Sequence, residues 1–288
     1  MKNIIKNLVI NKPAIFFSDT HYANYILLLS LISFPVLRSR LKNVKRVQSL
    51  HFPNFYLYTV EINKRIIMFQ SLKRISRFMK GFQSAGARIW NRYKIDQLIV
   101  NDSPFAIIDI GANIGEFSYF SRKKFTEHTL VYAVEPDPLA YQCLMANLHG
   151  SNVKFSMTPF SEFKGEKIFY LKTANADSSF EIPRGESIKY PVLAQTLDQF
   201  FQKQIMKYPI LMKMDVEGHE PEVLRGGLDL LRLVKWISID AGNERDKGLS
   251  NTITEVVKIL RENGFTKIEV HQDSIVTGIK QEINKKSN

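Results

Sequence analysis

From about residue 105 onward, short apolar runs alternate with longer amphipathic stretches. An apolar run bounded by turn residues predicts a buried strand, and an amphipathic stretch between two such runs predicts a helix. The predicted strands cover residues 105–110, 129–135, 152–157, 208–215, 233–240, 265–271 and 274–280. The predicted helices cover residues 115–125, 138–150, 196–205, a segment beginning near Glu220, and 251–264. Residues 165–195 predict short strands and loops.

Two of these helices carry end signals in the sequence. Asp137 is a natural N-cap and Pro138 a natural first helical residue, and Gly150 can close the same helix. Thr252 and Glu255 have the spacing of a capping box at the start of the last helix. The helix boundaries are therefore well marked in the C-terminal two thirds of the chain.

The alternation of strands and helices predicts an α/β fold. Apolar strands that alternate with helices form a parallel sheet covered on both faces. The last two strands are joined by only a few residues, which cannot make a parallel crossover, so the final strand should run antiparallel. A mostly parallel seven-stranded sheet with a C-terminal antiparallel strand is the arrangement of the Rossmann-like class I methyltransferases.

The N-terminal third has a different pattern. Residues 54–69 alternate loosely between apolar and polar positions and predict a hairpin or edge strands. Residues 70–95 are basic and carry apolar residues at helical spacing, which predicts a basic amphipathic helix. We therefore divide the chain into a basic N-terminal extension, residues 1–95, and an α/β domain, residues 96–282.

The longest apolar run, residues 22–37, is followed at once by a basic segment that ends at Arg46. The run is shorter than the roughly 20 apolar residues that a spanning helix needs, and it contains Pro35. It also starts far from the N-terminus for a signal peptide, and no clear cleavage site follows it. Three interpretations stay open: a helix packed on the domain, a helix on an anionic membrane surface through residues 22–46, or a spanning anchor.

Charge is distributed unevenly along the 288 residues, whose formal net charge is +12. The first 100 residues hold 17 Lys and Arg against three acidic residues. This excess predicts an anionic partner for the N-terminal third, such as a membrane surface, nucleic acid or an acidic glycan, unless the basic face is simply solvated. The single cysteine, Cys143, excludes an intrachain disulfide and is expected to be buried. We expect a cytoplasmic protein, with a peripheral position at the inner membrane face as the alternative.

The segment Asp109–Gly115, with sequence DIGANIG, follows the first strand of the predicted domain. Its glycines permit a tight turn close to a ligand, and the helix start supplies free N–H groups. A dinucleotide site would read G-x-G-x-x-G, whereas this loop reads G-x-N-x-G and is preceded by an acid. The acid disfavours a pyrophosphate and favours a cofactor with a cationic part, such as the amino group of S-adenosylmethionine. A purely structural turn is the alternative.

Glu135 ends the second predicted strand, 20 residues after Gly115. An acid at that spacing can accept hydrogen bonds from both ribose hydroxyls of an adenosine cofactor. It also lies outside the carboxyl end of its strand, where ligands bind in open α/β sheets. The loop and Glu135 together predict an adenosine-cofactor site.

A third motif, KMDVEGHEPEVLRGG, begins at Lys213. Lys213, Asp215 and Glu217 alternate, so they share one face if the strand persists. Charged groups at the end of a buried strand are costly unless paired, so Lys213 could simply pair with Asp215. The acids and His219 could also hold a metal, but the spacing is weak for one and none is predicted. We expect His219 at the helix start, with a proton-accepting role as the alternative.

Taken together, these motifs resemble the FkbM-type methyltransferase family. Typical members carry a D-x-G-a-N-x-G loop and a later K-x-D-V-E-G-x-E-x-x-x-L-x-G signature. The second signature is matched at Lys213, Asp215, Val216, Glu217, Gly218, Glu220, Leu224 and Gly226. Three further stretches match: SEFKG from Ser161, with Glu162 where Asp is usual, NADSSF with Ser178 and Ser179, and QTLDQF with Thr196 and Asp198. The resemblance covers roughly residues 100–280.

The resemblance implies a methyltransferase that uses S-adenosyl-L-methionine, commonly on hydroxyls of sugars, glycans or other secondary metabolites. The cofactor-binding residues would be Asp109, Gly111, Asn113, Gly115, Glu135 and Glu162. Asp109 would hold the amino acid end, Glu135 the ribose, and Glu162 would lie near the adenine. The catalytic candidates are Asp215, Glu217 and His219. A general base, if one is needed, would be Asp215 first.

Two competing functions follow from the basic N-terminal third. One is a nucleic-acid methyltransferase, which is disfavoured because neither an NPPY-like motif nor paired catalytic cysteines occur. The other is a membrane-associated module that binds the cofactor without activity. The methyl acceptor cannot be assigned from the motifs, although residues 165–195 and the segment after Asp240, with Glu244 and Arg245, are candidates for contacting it.

Overall fold

The computed structural model describes residues 44–52, 55–99, 102–125, 128–172, 177–202, 207–245 and 249–280. The apolar run 22–37, and with it the helix considered for membrane contact, lies outside the described residues. The chain forms two compact units, residues 1–84 and residues 85–288. Within the described ranges, no helix is long and apolar enough to cross a membrane.

The first unit contains a three-stranded antiparallel sheet. Its strands β1 (Val44–Phe52), β2 (Phe55–Ile62) and β3 (Arg65–Phe69) are hydrogen-bonded in that order. Asn63 and Lys64 join β2 to β3, and both have positive φ angles, as a tight two-residue hairpin turn requires. The predicted hairpin over residues 54–69 is confirmed.

The single amphipathic helix predicted over residues 70–95 is wrong, because the segment is broken into three pieces. These are a 3-10 helix (Leu72–Phe78), α1 (Phe82–Arg92) and α2 (Ile95–Leu98). Gly81 separates the first two pieces, with a φ of 94° and an N–H that donates to the Phe78 carbonyl at 2.6 Å. A left-handed glycine ends a helix in this way, and apolar periodicity alone does not reveal it.

The second unit is built on a seven-stranded sheet. The sheet strands are β4 (Ala106–Ile110), β5 (Leu130–Val134), β6 (Lys154–Ser156), β9 (Ile210–Met214), β10 (Val234–Asp240), β11 (Lys267–Val270) and β12 (Ile275–Ile279). A separate hairpin is formed by β7 (Gly165–Leu171) and β8 (Ile188–Ala194). The helices are α3 (Glu116–Lys124), α4 (Pro138–Asn147), α5 (Leu197–Phe201), α6 (Glu220–Arg225), α7 (Leu228–Leu231) and α8 (Ile253–Glu262).

The strand order is β11-β12-β10-β9-β4-β5-β6. Strands β6, β5, β4, β9 and β10 pair in parallel, whereas β12 runs antiparallel to both of its neighbours, β10 and β11. The predicted α/β fold of the Rossmann-like class I methyltransferase type, with its antiparallel C-terminal strand, is confirmed. The β4 strand lies where the strand order reverses, which is where ligands bind in such sheets.

The hydrophobic core lies on both faces of this sheet. Every residue of β4 and of β9 is buried, as continuous apolar runs in a parallel sheet predict. Cys143 of α4 is also fully buried, as expected. Helix α8 contributes one apolar face to the same core through Val256, Ile259 and Leu260.

The second unit begins at Ala85, before the boundary at 95/96 that the sequence suggests. The reason is the aromatic packing of α1 against α3. The Trp90 ring stacks on Phe117, with centroids 5.5 Å apart, and lies 5.6 Å from the ring of Phe120. Residues 85–95 therefore pack with the sheet domain.

The two helix-start predictions had opposite outcomes. The Asp137 carboxylate accepts from the N–H groups of Leu139 and Ala140, at 2.9 and 3.3 Å, so this N-cap is confirmed. The capping box at Thr252 is wrong, because its side chain makes no cap bond at α8. The Thr252 hydroxyl instead donates to the buried carboxylate of Glu220 at 2.8 Å.

Candidate active site

The loop between β4 and α3 is shaped by two left-handed glycines. Gly111 has a φ of 73°, and a Cβ atom there would lie 1.8 Å from the carbonyl oxygen of Asp215. Gly115 has a φ of 97°, and a Cβ atom there would lie 2.7 Å from Leu144 of α4. Both the conformation and the close approach exclude other residues at Gly111. The loop is thereby held directly against the end of β9.

The same loop is hydrogen-bonded to the end of β5. The N–H groups of Gly111 and Ala112 both donate to the Val134 carbonyl, each at 2.9 Å. The N–H of Asn113, which has a left-handed φ of 49°, donates to Oε2 of Glu135 at 2.7 Å. Glu135 and the glycine loop therefore form one structural element, although 20 residues separate Gly115 from Glu135 in the chain.

The geometry of Glu135 fits the ribose of an adenosine cofactor. Its Oε1 accepts from the Asp137 N–H at 2.8 Å, and its Oε2 accepts from the Asn113 N–H. Burial, and then the nearby charge of Asp137, raise the pKa of Glu135 to about 8. A carboxylate has lone pairs on both oxygens beyond those two bonds, so it can still accept from two adjacent hydroxyls. Such donors would favour its charged form.

Asp109 lies beneath the loop, with no exposed surface. Its Oδ2 accepts from the Ser118 hydroxyl at 2.7 Å, and its Oδ1 lies 3.2 Å from the Lys213 ammonium. The Lys213 ammonium also donates to the Gly111 carbonyl at 2.8 Å. The geometry favours Asp109 as a support for the loop, so its direct contact with the cofactor's amino group stays a prediction.

Lys213 pairs with Asp109 and not, as the sequence suggested, with Asp215. The cause is strand register, because Asp109 on β4 lies directly beside Lys213 on β9. Burial opposes the ammonium charge, but Asp109 and then Asp215 outweigh it and raise the pKa of Lys213. The pair is buried and charge-balanced, which is the condition for keeping ions in a core.

Asp215 follows β9 and is only partly buried. Its backbone N–H donates to the Ile110 carbonyl at 3.0 Å, which extends the β4–β9 pairing by one step. Its Oδ2 accepts from the hydroxyl of Tyr93 at 2.7 Å. Burial, and then the charges of Asp215 and Asp240, raise the pKa of Tyr93 well above its ordinary value, so the phenol is a donor.

The end of β10 adds further carboxylates beside Asp215. Asp240 pairs with the Arg92 guanidinium, and burial followed by the charge of Asp215 raises the pKa of Asp240 to about 6. Burial, and then Asp240 and Asp215, raise the pKa of Glu244 to about 7. Asp215 thus raises the pKa of both carboxyl groups, so acidic side chains crowd this side of the site.

Glu217 lies in the turn after β9, with a left-handed φ of 53°. Burial, and then the charge of Asp215, raise the pKa of Glu217 well above its ordinary value. A non-glycine residue in this conformation is strained by roughly 1–2 kcal/mol, and such strain is concentrated at functional sites. Glu217 therefore belongs to the same group of carboxylates as Asp215, Asp240 and Glu244.

His219 is buried at the start of α6 and is held from both sides of its ring. Its Nε2 lies 3.1 Å from the Ser161 hydroxyl, and its Nδ1 lies 3.1 Å from Oε1 of Glu181. The ring also contacts Phe180, with centroids 4.8 Å apart. These contacts connect residues on both sides of β7 to the start of α6 and give His219 a structural role. A proton-accepting role for His219 stays a prediction.

Three side chains with metal-ligating atoms lie together at His219. Among the described residues, ligand atoms of Glu181, His219 and Glu222 lie within 4.8 Å of one another. Glu222, however, already pairs with Arg245, and its other oxygen lies 3.7 Å from Arg225. A metal ion would have to displace these two cations, so the donor set is better explained as an ion-pair network.

Glu162, the last predicted cofactor residue, forms an ion pair with Arg225 at 3.7 Å. It lies beside α6, where a Cβ atom at Gly226 would come within 3.3 Å of its Cα atom. The neighbouring Ser161, not Glu162, contacts His219. A contact of Glu162 with adenine stays a prediction.

Sequence reasoning missed the contribution of two residues at the end of α1. Arg92 is the last residue of this helix, and Tyr93 follows it. They contact Asp240 and Asp215, more than 100 residues away along the chain. Their only sequence signal is the apolar and aromatic spacing of α1, which is the same in a basic helix that faces solvent.

The two predicted acceptor contacts lie in different surroundings. Glu244 lies within the group of carboxylates beside Asp215, whereas the Arg245 side chain donates to the Gly218 carbonyl at 2.6 Å.

Comparison with known proteins identifies the domain. The model of the methyltransferase FkbM domain matches residues 109–267, which is more than half of the chain. The chain is 25% identical over 143 residues to "Methyltransferase 1" of Beauveria bassiana, covering 42% of this chain and 57% of that protein. It is 26% identical over 168 residues to "Hexuronic acid methyltransferase AglP" of Haloferax volcanii, covering 54% of this chain and 67% of that protein. The matched region thus covers little more than half of the first relative and two thirds of the second.

Among solved structures, the chain is similar to Aeropyrum pernix fibrillarin in complex with natively bound S-adenosyl-L-methionine. That comparison has a TM-score of 0.39 at 12% identity and covers 82% of this chain and 97% of the other.

Proposed function

Because this chain belongs to the FkbM methyltransferase family and its cofactor is S-adenosylmethionine, we propose that it methylates a hydroxyl of a sugar or glycan. One observation carries the proposal. Glu135 and Asp215 follow β5 and β9, the two strands that flank β4, and the glycine loop that follows β4 contacts both residues. Cofactor and acceptor would therefore meet above the end of β4.

On the cofactor side, Glu135 would accept hydrogen bonds from the ribose hydroxyls. The loop from Gly111 to Gly115 would hold the amino acid end with its backbone, and Lys213 and Asp109 would keep the loop rigid from below. The bound cofactor supplies an already activated sulfonium methyl group. The protein must then place the acceptor oxygen in line with that group, and positioning alone can supply much of the acceleration.

On the acceptor side, Asp215 is the best candidate for a general base. It is partly exposed, it lies at the end of β9, and one of its oxygens is fixed by Tyr93. It would accept the proton of the acceptor hydroxyl at Oδ1 as the new C–O bond forms. Glu217 is less suited, because burial and then the charge of Asp215 raise its pKa well above its ordinary value, which disfavours the charged form that accepts a proton.

The charge of the site favours a sugar hydroxyl over a nucleic acid. Asp215 and Asp240 lie close enough to Glu217 and Glu244 to raise the pKa of both carboxyl groups, and the phosphates of a nucleic acid would add further negative charge beside them. The relative from Haloferax volcanii, whose name specifies a hexuronic acid, supports a sugar as the acceptor class. Its 26% identity supports the class alone and not the particular sugar.

The test is the release of S-adenosylhomocysteine with a panel of neutral glycans, uronic-acid glycans and short RNA, each with an enzyme-free control. We expect turnover with at least one glycan and none with RNA. Mass spectrometry of the product should place the added methyl on oxygen. Turnover with RNA alone, or methylation on nitrogen or carbon, would overturn the proposal.

A further inference from the structure

Tyr93 has more contacts with the active side of the sheet than its place in the sequence suggests. It follows α1, and its side chain is 1% exposed. Its N–H donates to the Ile89 carbonyl at 2.9 Å, and its own carbonyl accepts from the Ser238 hydroxyl of β10 at 2.7 Å. The backbone of Tyr93 is thus fixed both to its helix and to a central strand.

The ring and hydroxyl of Tyr93 are fixed as well. The Lys213 ammonium lies 5.2 Å from the ring centroid, a cation–π distance, and Phe117 contacts the ring edge-on at 6.5 Å. The hydroxyl donates to Oδ2 of Asp215 at 2.7 Å. The neighbouring Arg92 pairs with Asp240 and so balances one of the charges that face the phenol.

A general base among like charges needs a fixed orientation. The charged groups that face Asp215 and Tyr93 come from four places: Arg92 from α1, Lys213 from β9, Asp240 from β10, and two glutamates from loops. Glu217 lies in the loop after β9, and Glu244 lies in the loop after β10. Without a donor on one oxygen, the Asp215 carboxylate would turn away from its acidic neighbours. A hydrogen bond to a charged group is roughly twice as strong as a neutral one, so the phenol can prevent that rotation.

We infer that Tyr93 is a positioning residue for methyl transfer: its hydroxyl holds Oδ2 of Asp215 and thereby presents Oδ1 to the acceptor hydroxyl. This inference rests on the proposed function. It also makes α1 part of the acceptor side of the site. The phenol keeps its proton throughout, and the proton from the acceptor goes to Asp215.

The test compares Tyr93→Phe with the matched variant Tyr132→Phe in the full-length chain. Tyr132 is a second buried tyrosine of the same sheet domain, on β5, and its hydroxyl accepts from Lys154 at 3.1 Å. We expect Tyr93→Phe to lower kcat about tenfold, the loss typical for one hydrogen bond to a charged group. Its affinity for S-adenosylhomocysteine, measured by calorimetry, should stay within about twofold of wild type.

The pH profile separates positioning from mere packing. Loss of the donor should move the acidic limb of kcat to higher pH in Tyr93→Phe, because a carboxylate without that bond is protonated more readily among acidic neighbours. Tyr132→Phe should keep the wild-type limb. If Tyr93→Phe does not fold, Ser238→Ala, which releases the Tyr93 backbone, should shift the limb in the same direction.

The outcomes distinguish this inference from the function on which it rests. A wild-type kcat and pH profile in Tyr93→Phe would refute the positioning role of Tyr93. An equal loss of kcat and of affinity for S-adenosylhomocysteine would also refute it. Neither outcome would contradict the proposed methyl transfer. Absence of turnover in the wild-type chain with every glycan would overturn both.

Discussion

The two sides of the candidate site are held together by different forces. On the cofactor side, backbone N–H groups of Asn113 and Asp137 fix a single carboxylate, Glu135. On the acceptor side, carboxylates from β9, β10 and two loops crowd together, and side chains such as Tyr93 and Arg92 restrain them. One side is a backbone cradle, and the other is a group of competing side-chain charges.

This difference explains why the two sides should respond differently to mutation. A backbone cradle depends on chain conformation, so steric changes should damage it most. A group of like charges depends on protonation and on single hydrogen bonds, so isosteric changes should affect its chemistry while binding of the cofactor survives.

On the cofactor side, the largest loss of binding should come from Gly111→Ala. The added methyl group would lie 1.8 Å from the Asp215 carbonyl, and the φ of 73° is strained for alanine. We expect affinity for S-adenosylhomocysteine to fall by at least about 100-fold in calorimetry. Gly150→Ala is the matched control, because Gly150 has the same φ of 73° with no atom within 4 Å of the added group. Equal losses in both variants would show that φ alone matters.

On the acceptor side, Asp215→Asn should lower kcat by about 100- to 10,000-fold, the usual contribution of general base catalysis. The amide keeps the shape of the carboxylate, so calorimetric affinity for S-adenosylhomocysteine should remain. Full turnover in this variant would exclude Asp215 as the general base. Loss of affinity for S-adenosylhomocysteine would show that Asp215 also contributes to cofactor binding.

Glu135→Ala should affect binding in a complementary way. Losing two hydrogen bonds to a charged acceptor should weaken affinity for S-adenosylhomocysteine by about 10- to 100-fold. The exposed Glu166 of β7 offers a control, Glu166→Ala, which removes the same charge from the hairpin. An unchanged affinity in Glu135→Ala would contradict the ribose role.

The smallest effect should be on stability, through Glu244. Its pKa of about 7 lies above the ordinary value of 4.5, so the folded chain holds a proton that the unfolded chain releases between those values. Stability should therefore fall as pH rises from about 4.5 to about 7, and the loss is complete above that window. We expect Glu244→Gln to raise the Tm by about 2 °C at pH 8 and not at pH 5, measured by calorimetric melting. An equal gain at both pH values would rule out this electrostatic cause.

The sequence alone predicted the α/β fold and the pairing of the glycine loop with Glu135. Continuous apolar runs could only be buried strands of a parallel sheet, and the short final link required an antiparallel strand. The glycine loop and Glu135 could be identified because their constraints are local: positive φ at Gly111 and a fixed spacing to Glu135. Backbone geometry of this kind is determined by residues that are adjacent in the sequence.

Only the tertiary structure decided the acceptor side. Strand register paired Lys213 with Asp109 instead of Asp215, and register is set by the whole sheet. The packing of α1 places Tyr93 against Asp215, and the apolar periodicity of the α1 sequence does not predict that contact. Contacts between side chains far apart in the chain depend on how complete elements pack, so no local pattern in the sequence specifies them.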